Sequence, residues 1–241
     1  MYYIANYSGG KDSEAMVREL IRRKYPLDEV VAFDGGWEFY CVQRNWENMR
    51  AYVESKGIKF KILRPECSFQ SLMLNKVVNK GKSNEHIGYS WCGGSCRWGT
   101  TIKARILDNY AKEKNAIVYV GIAADETKRL AKNTKPHIRH PLAEWGITEA
   151  ECLSIFRREG VSWVESGVDL YDILDRVSCF CCRNKNLWEL YAIWKNLHFW
   201  WNELKILQAL NDMPFKNGCS IFDLERKFAE GYIPKRRKKT K

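Results

Sequence analysis

Residues 2–13 constrain the fold more than any other segment. Tyr2 to Tyr7 is a short apolar and aromatic run, and it stops at Ser8-Gly9-Gly10-Lys11-Asp12-Ser13. A run of this length closed by a Gly-Gly pair reads as a buried strand entering a tight turn. From Asp12 the apolar period changes. Met16 with Leu20, and Val17 with Ile21, share one helical face, while Arg18, Arg22 and Arg23 lie elsewhere. Pro26 ends that helix.

The alternation continues along the chain. Val30 to Phe33 reads as a second strand ending at Asp34-Gly35-Gly36, and a helix from about Val42 to Ser55 stops at Gly57. Lys59 to Leu63 alternates like a strand up to Pro65. The stretch from Gln70 to Tyr89 has no clear period. Thr100 is expected to cap a helix carrying Ile102, Ile106, Leu107 and Tyr110, and Ala116 to Ile122 is a further strand. Thr148 and Glu151 have capping-box spacing ahead of Leu153 and Ile155-Phe156, with Gly160 to end the helix. This order predicts an α/β protein: a doubly wound parallel sheet with helices on both faces. Ligands of such sheets bind at the carboxyl ends of the strands. The functional edge is therefore expected to hold Ser8 to Ser13, Asp34 to Glu38, and Gly121 to Arg129. Leu187, Leu190, Tyr191, Trp194, His198, Trp201 and Leu204 form an apolar stripe at helical spacing. It reads as one C-terminal helix, with its Trp-rich face serving as core or as a homodimer surface.

The glycine turn is built for an anion. Two glycines let the backbone approach a ligand and adopt positive φ. The exposed N–H groups and the positive end of the following helix favour negative charge. Ser8 and Ser13 add hydroxyls, Lys11 adds a point charge, and Asp12 could support the helix end or hold Mg²⁺ to phosphates. The spacing differs from the Walker loop, Gly-x-x-x-x-Gly-Lys-Ser/Thr.

The hexapeptide resembles the PP-loop of the ATP pyrophosphatases and of the phosphoadenosine-phosphosulfate (PAPS) reductases. Phe33-Asp34-Gly35-Gly36-Trp37-Glu38-Phe39 is similar to that superfamily's Asp-Thr-Gly-x-Glu-Phe turn. Gly121-Ile122-Ala123-Ala124-Asp125-Glu126-Thr127-Lys128-Arg129 is similar to its Gly-x-Arg-x-Asp-Glu-Ser-x-x-Arg segment. Pro141-Leu142-Ala143-Glu144-Trp145, and Leu170-Tyr171-Asp172 followed by Arg176-Val177-Ser178-Cys179, are similar to later motifs in the same order. The resemblance implies an adenine nucleotide alpha-hydrolase-like PP-loop domain over residues 1–185 carrying a cysteine-cluster insert. A helical segment over 186–234 and a basic tail over 235–241 would follow.

It further implies that ATP or an adenylyl sulfate nucleotide binds with Mg²⁺ at Ser8, Gly9, Gly10, Lys11, Asp12, Ser13, Asp34, Glu38, Gly121 and Asp125. Lys11, Asp12 and Arg129 would be catalytic. The implied activity is sulfur transfer: ATP adenylates an acceptor oxygen, pyrophosphate leaves, and a sulfur nucleophile displaces AMP. Positioning and charge neutralisation would do most of that work. Two alternatives stand beside it. One is a reductase releasing sulfite from PAPS or adenylyl sulfate; the other is a non-catalytic nucleotide- or nucleic-acid-binding partner. The chain departs from the reductases: Ala123 replaces an arginine, and Asn217-Gly218-Cys219-Ser220 is a poor match to their Glu-Cys-Gly-x-His segment.

The chain has nine cysteines, and its opening residues lack a basic n-region, so a reducing cytoplasmic setting is expected. Cys92 and Cys96 are close in sequence, as are Cys179, Cys181 and Cys182, while Cys41, Cys67, Cys152 and Cys219 are isolated. Clusters point to metal and singles to small buried hydrophobes. Cys92, Cys96, Cys179 and Cys182 are the expected ligands, with Cys181 the alternate. Spacing does not separate an iron–sulfur cluster from Zn²⁺. The nearby arginines and the link to sulfur chemistry favour iron–sulfur, with Zn²⁺ the alternative.

Net charge is +11, and six basic residues crowd the last seven positions: Lys235, Arg236, Arg237, Lys238, Lys239 and Lys241. Such a tail can hold RNA or DNA through phosphates, or simply be solvated. The loop Lys132 to Arg139 admits the same two readings. His86, His137, His140 and His198 show no motif spacing. No apolar run reaches the roughly 18 residues of a membrane helix.

Overall fold

The computed structural model describes residues 1–92, 96–132 and 135–236, with Trp98 and Gly99 by backbone alone. Gly93-Gly94-Ser95 of the first cysteine loop and Asn133-Thr134 of the basic loop lie outside the described residues. So do Arg237, Lys238, Lys239 and Lys241 of the expected tail.

In chain order the elements begin with β1 (Tyr2–Tyr7), α1 (Lys11–Arg22), β2 (Glu29–Phe33), α2 (Tyr40–Glu54) and β3 (Lys59–Leu63). Then come α3 (Phe69–Leu74), β4 (Val77–Val78), β5 (His86–Ile87), a π-helical turn (Arg97–Ile102) and α4 (Lys103–Glu113). Next are β6 (Ala116–Val120), α5 (Thr127–Leu130), β7 (Ile138–Arg139), α6 (Pro141–Glu144) and α7 (Glu149–Arg158). The chain closes with β8 (Val164–Glu165), β9 (Val168–Asp169), α8 (Leu170–Ile173), α9 (Leu187–Asn196), α10 (His198–Ala209) and α11 (Ile221–Ala229). These elements sort into two compact units. The first contains Met1–Asp34, Tyr40–Pro65 and Lys103–Trp163; the second contains Gly35–Phe39, Glu66–Ile102 and Val164–Lys241.

The first unit is an α/β layer structure around a parallel sheet of order β3-β2-β1-β6-β7. Every residue of β2 is buried, as a parallel strand covered on both faces requires. One face of β1 presents Tyr2 and Ile4, which pack with Val31, Leu63 and Ala116 against Leu107 and Tyr110 of α4. The opposite face presents Tyr7, whose hydroxyl donates to Glu14 of α1 and reaches the Asn45 carbonyl of α2. Helices therefore cover both faces. α1 also packs on α6 and α7. The strand order turns back at β1, with β2 on one side and β6 on the other, so the carboxyl ends of β1 and β6 flank the switch point.

Local chemistry sets the boundaries. α1 ends before Pro26, the chain turning at Lys24 with φ +56°. The expected capping box on α7 forms in both directions: Glu151 N–H donates to Thr148 Oγ1 (3.3 Å), and Thr148 N–H donates to Glu151 Oε2 (2.8 Å). Thr100 does not cap α4. It lies inside the π-helical turn, where the N–H groups of Thr100 and Thr101 both reach the Cys96 carbonyl at 3.0 Å. The backbone is already coiled there, so α4 needs no side-chain start signal.

In the second unit, Ser68 caps α3 through the Ser71 N–H, and β4 and β5 form an antiparallel hairpin in the stretch without clear period. The C-terminal stripe is two helices rather than one. Leu197 leaves helical geometry (φ −125°, ψ 61°) with its side chain buried, and the phase of the stripe resets there. Leu190, Ile193, Trp200, Trp201 and Leu204 are all buried. The indole N–H groups of Trp200 and Trp201 donate to Glu165 (3.0 Å) and Glu225 (3.1 Å). That pairing lets two tryptophans enter a core without an orphaned donor. No helix among the described residues is long and apolar enough to cross a membrane.

Candidate functional site

The turn after β1 is shaped by its own side chains. Ser8 N–H donates to Ser13 Oγ (3.1 Å), the two serine hydroxyls meet at 3.0 Å, and Ser13 Oγ donates to the Gly10 carbonyl (2.9 Å). Gly9 sits at φ +76°, and a Cβ there would fall 2.7 Å from Val42 Cγ1 and 3.0 Å from Trp46 Nε1. Only glycine meets both demands. The Gly9 carbonyl accepts from the indole N–H of fully buried Trp163 at 2.6 Å, and that indole stacks on Phe156. Gly10 then opens α1 with extended dihedrals and no side-chain cap.

Gly121, immediately after β6, is pressed against this turn. A Cβ on it would sit 3.0 Å from the Asp12 carbonyl carbon and oxygen and from Ser13 Cα. The absence of a side chain thus lets the ends of β1 and β6 meet at the switch point.

Beside this contact lies a charged cluster. Lys11 is 6% exposed, and its Nζ pairs with Asp12 Oδ1 at 2.6 Å and Glu149 Oε1 at 3.0 Å. Burial lowers the Lys11 pKa, but the attraction of Asp12 and Glu149 outweighs it, and the net shift is upward. Burial holds Asp12 above the usual carboxylate range, and Glu149 and Glu126 push the same way against Lys11. One carboxylate oxygen each from Asp12, Glu126 and Glu149 lies within 4.8 Å of the others. Asp125 accepts the Glu149 N–H (3.0 Å) and so fixes the first residue of α7. Arg129 is half exposed and donates to Glu126 at 2.6 Å. Under the cluster lies fully buried Cys152, its thiol pushed up by burial and by the charge of Asp12.

The structure thus brings Ser8, Gly9, Gly10, Lys11, Asp12, Ser13, Gly121 and Asp125 together on one sheet edge, with Glu126 and Arg129 adjoining. Asp34 stands at the end of β2 and accepts from Arg64 Nε at 3.0 Å. Glu38 belongs to the second unit, where its carboxylate takes the Cys179 thiol hydrogen at 3.8 Å. Beside it, Phe180 N–H donates to the Trp37 carbonyl (3.0 Å). The segment after β2 is therefore strapped to the cysteine turn.

That turn is closed by Cys182 N–H donating to the Cys179 carbonyl at 3.1 Å. Cys179 and Cys182 are half-buried, as are Cys92 and Cys96. Cys181 is 1% exposed, and burial raises its thiol well above the ordinary range, with Cys179 and Cys182 adding to the effect. By donor type, two half-buried thiols spaced Cys-x-x-Cys on a tight turn suit a thiophilic metal; Cys181, turned into the core, is the poorer ligand.

Sequence reasoning passed over Glu149 and Trp163. Glu149 is masked by the capping box around it, which uses Glu151, and its partner Lys11 is 138 residues away. Trp163 carries no local signal at all; its role appears only when Gly9 is placed against it. Among the models of known protein families and the curated proteins, none matches this chain.

Proposed function

We propose that the first unit binds an adenine nucleotide at the glycine turn and that the protein serves sulfur transfer of the adenylation–thiolation type. The observation that carries this reading is the Gly121 contact: a turn that requires glycine at Gly9 and at Gly121 stands at the switch point of a parallel sheet, where such folds take phosphate-bearing ligands. The backbone amides opening α1, with Ser8 and Ser13, would hold phosphate oxygens. Asp34 is the proposed adenosine-side group, and Arg129 the proposed guanidinium for developing phosphate charge.

The chemistry of the acidic cluster fits a hard divalent cation. Asp12, Glu126 and Glu149 offer three carboxylates, and Mg²⁺ takes one or two of these together with phosphate oxygens. Asp12 and Glu149, which hold Lys11 in this structure, would be the residues to hold the cation, and the Lys11 ammonium would then be the group nearest to serve a phosphate oxygen. The cation itself would supply charge neutralisation at the phosphates.

The thiols of Cys92, Cys96, Cys179 and Cys182 would hold an iron–sulfur cluster, with Zn²⁺ the alternative occupant. The link to sulfur rests on this donor set. The proposed reaction places an acceptor oxygen on the α-phosphorus with loss of pyrophosphate, followed by displacement of AMP by a sulfur nucleophile.

The test is titration of the full chain with ATP, PAPS and adenylyl sulfate, with and without Mg²⁺. ATP affinity that rises with Mg²⁺ and falls in Lys11→Ala supports the reading; no binding of any of the three refutes it. Anaerobic purification with iron, zinc and sulfide analysis tests the thiol site. Pyrophosphate release from ATP separates this function from a reductase, which would release sulfite from PAPS with thioredoxin.

A further inference from the structure

The second unit carries a basic groove that the nucleotide reading does not use. Three adjoining concavities of about 600, 350 and 480 Å³ share Leu187 and Lys216 as walls. Arg183, Lys185, Lys216, Lys227 and Lys235 line them, against one lining carboxylate, Glu230. Three of these cations are fixed in place, Arg183 by donating from Nε to the Phe215 carbonyl at 2.8 Å. Lys185 is 2% exposed and donates to Ser178 Oγ at 2.9 Å. Lys216 donates to the carbonyls of Arg183 and of Lys185, the latter at 2.5 Å. Apolar and aromatic surface is interleaved with this charge: Tyr232 is 48% exposed, Leu187 is 37% exposed, and the Arg236 guanidinium lies 5.7 Å above the Trp188 ring.

We infer that this groove binds single-stranded nucleic acid, with phosphates on Arg183, Lys227 and Lys235 and bases against Tyr232, Leu187 and Trp188. A five-to-one excess of cations over carboxylates selects a polyanion. The exposed Tyr232 ring, the half-buried Trp188 ring and the Leu187 wall select among polyanions. A duplex hides its base faces, and an acidic peptide has no flat rings to lay on them, whereas an unpaired strand offers both phosphates and stacking surfaces. The inference stands apart from the nucleotide reading, because the residues are different and either can fail alone.

Fluorescence anisotropy of the full chain with a short labelled oligothymidylate or oligouridylate tests it. Binding should weaken with salt by roughly 0.7 in log affinity per log salt for each phosphate neutralised. The double variant Lys227→Glu/Lys235→Glu should bind at least about tenfold more weakly with a shallower salt slope. Tyr232→Ala should lose about fivefold or more at an unchanged slope, because it removes stacking and leaves charge intact. Lys227 Nζ lies 3.2 Å from Cys219 Sγ in the same concavity, so bound oligonucleotide should also slow alkylation of Cys219. Melting temperature and ATP affinity of the double variant, and ATP affinity of Tyr232→Ala, should match the parent chain. Equal oligonucleotide affinity in parent and double variant overturns the inference. So does preference for duplex, or competition by polyglutamate as effective as by unlabelled strand.

Discussion

Replacing Gly121 with alanine isolates the contact on which the nucleotide reading depends. Gly121 does not occupy the left-handed region, so alanine can adopt its backbone conformation and the penalty is steric. The new Cβ would lie 3.0 Å from three backbone atoms of Asp12 and Ser13. Those atoms belong to the first turn of α1, held by Glu14 N–H to the Gly10 carbonyl (3.0 Å) and by Ser13 Oγ to the same carbonyl (2.9 Å). No side chain can rotate away, so β6 or α1 must shift by a few tenths of an ångström. Overpacking of this kind costs about 1–3 kcal/mol. Loss of glycine freedom in the unfolded chain offsets about 0.4–1 kcal/mol. The net destabilisation is about 0–2.6 kcal/mol, and the melting temperature should fall by up to about 10 °C. Because the shift displaces the amides that open α1, ATP affinity should fall about tenfold or more. Gly146→Ala is the control: its φ is +71° and its Cβ meets nothing within 4 Å, so it carries only the left-handed penalty of about 1–2 kcal/mol. Scanning calorimetry and ATP titration on both variants give the comparison. A Gly121→Ala chain that melts and binds ATP like the parent would refute the argument.

Trp163→Phe keeps the ring stacked on Phe156 but removes the donor to the Gly9 carbonyl. Urea unfolding should show a loss of about 1–3 kcal/mol, and an unchanged midpoint would mean that carbonyl has another donor. Lys11→Met leaves Asp12 and Glu149 without their shared cation and should cost near the low end of roughly 3–5 kcal/mol, since Glu149 is partly exposed. The folded Lys11 pKa is raised, so its contribution is complete below pH ~10.4 and is lost as pH rises through the folded value. On the alkaline side the stability gap between parent and variant should therefore narrow only in strong alkali, and on the acid side it should narrow as Asp12 takes up its proton; a gap unchanged at both extremes would exclude the ion pair as its source. Asp108 is held down to about 2 by hydrogen bonds from Lys135 and Lys112. Asp108→Asn should cost at most about 1 kcal/mol at neutral pH. That difference should persist down to pH ~3.9 and close as pH falls through the folded value. Urea midpoints across that range test the sign.

β1, β2 and β6 were readable because a buried parallel strand leaves an uninterrupted apolar run, as Val30 to Phe33 does, and β3 because it alternates; β7 was missed, since Ile138 and Arg139 lie in the stretch read as a basic loop. The glycine turn was readable because its constraint is local: strand, positive φ and helix start lie within a few residues. The capping box at Thr148 is legible for the same reason. What stayed hidden is long-range. Nothing near Glu149 announces that Lys11 will pair with it, and nothing near Trp163 points to Gly9. The break at Leu197 was invisible because an apolar stripe keeps helical spacing on both sides of a kink that no Pro or Gly marks. The start of α4 was misplaced because a π-helical turn changes the residue count per turn ahead of it.

The two units share one chain unequally. The polypeptide leaves the first unit after Asp34, returns at Tyr40, leaves again after Pro65, returns at Lys103, and departs finally after Trp163. A fragment ending at Trp163 would keep every strand of the parallel sheet. It would also carry Gly35–Phe39 and Glu66–Ile102, severed from the helices and the cysteine turn they fold with. A fragment beginning at Val164 would keep Cys179 and Cys182 but lack Cys92, Cys96 and Glu38. Gene dissection at any single position therefore orphans part of one unit. Synthesis has the same consequence: the ribosome must deliver residue 164 and beyond before the segments at 35–39 and 66–102 meet their partners.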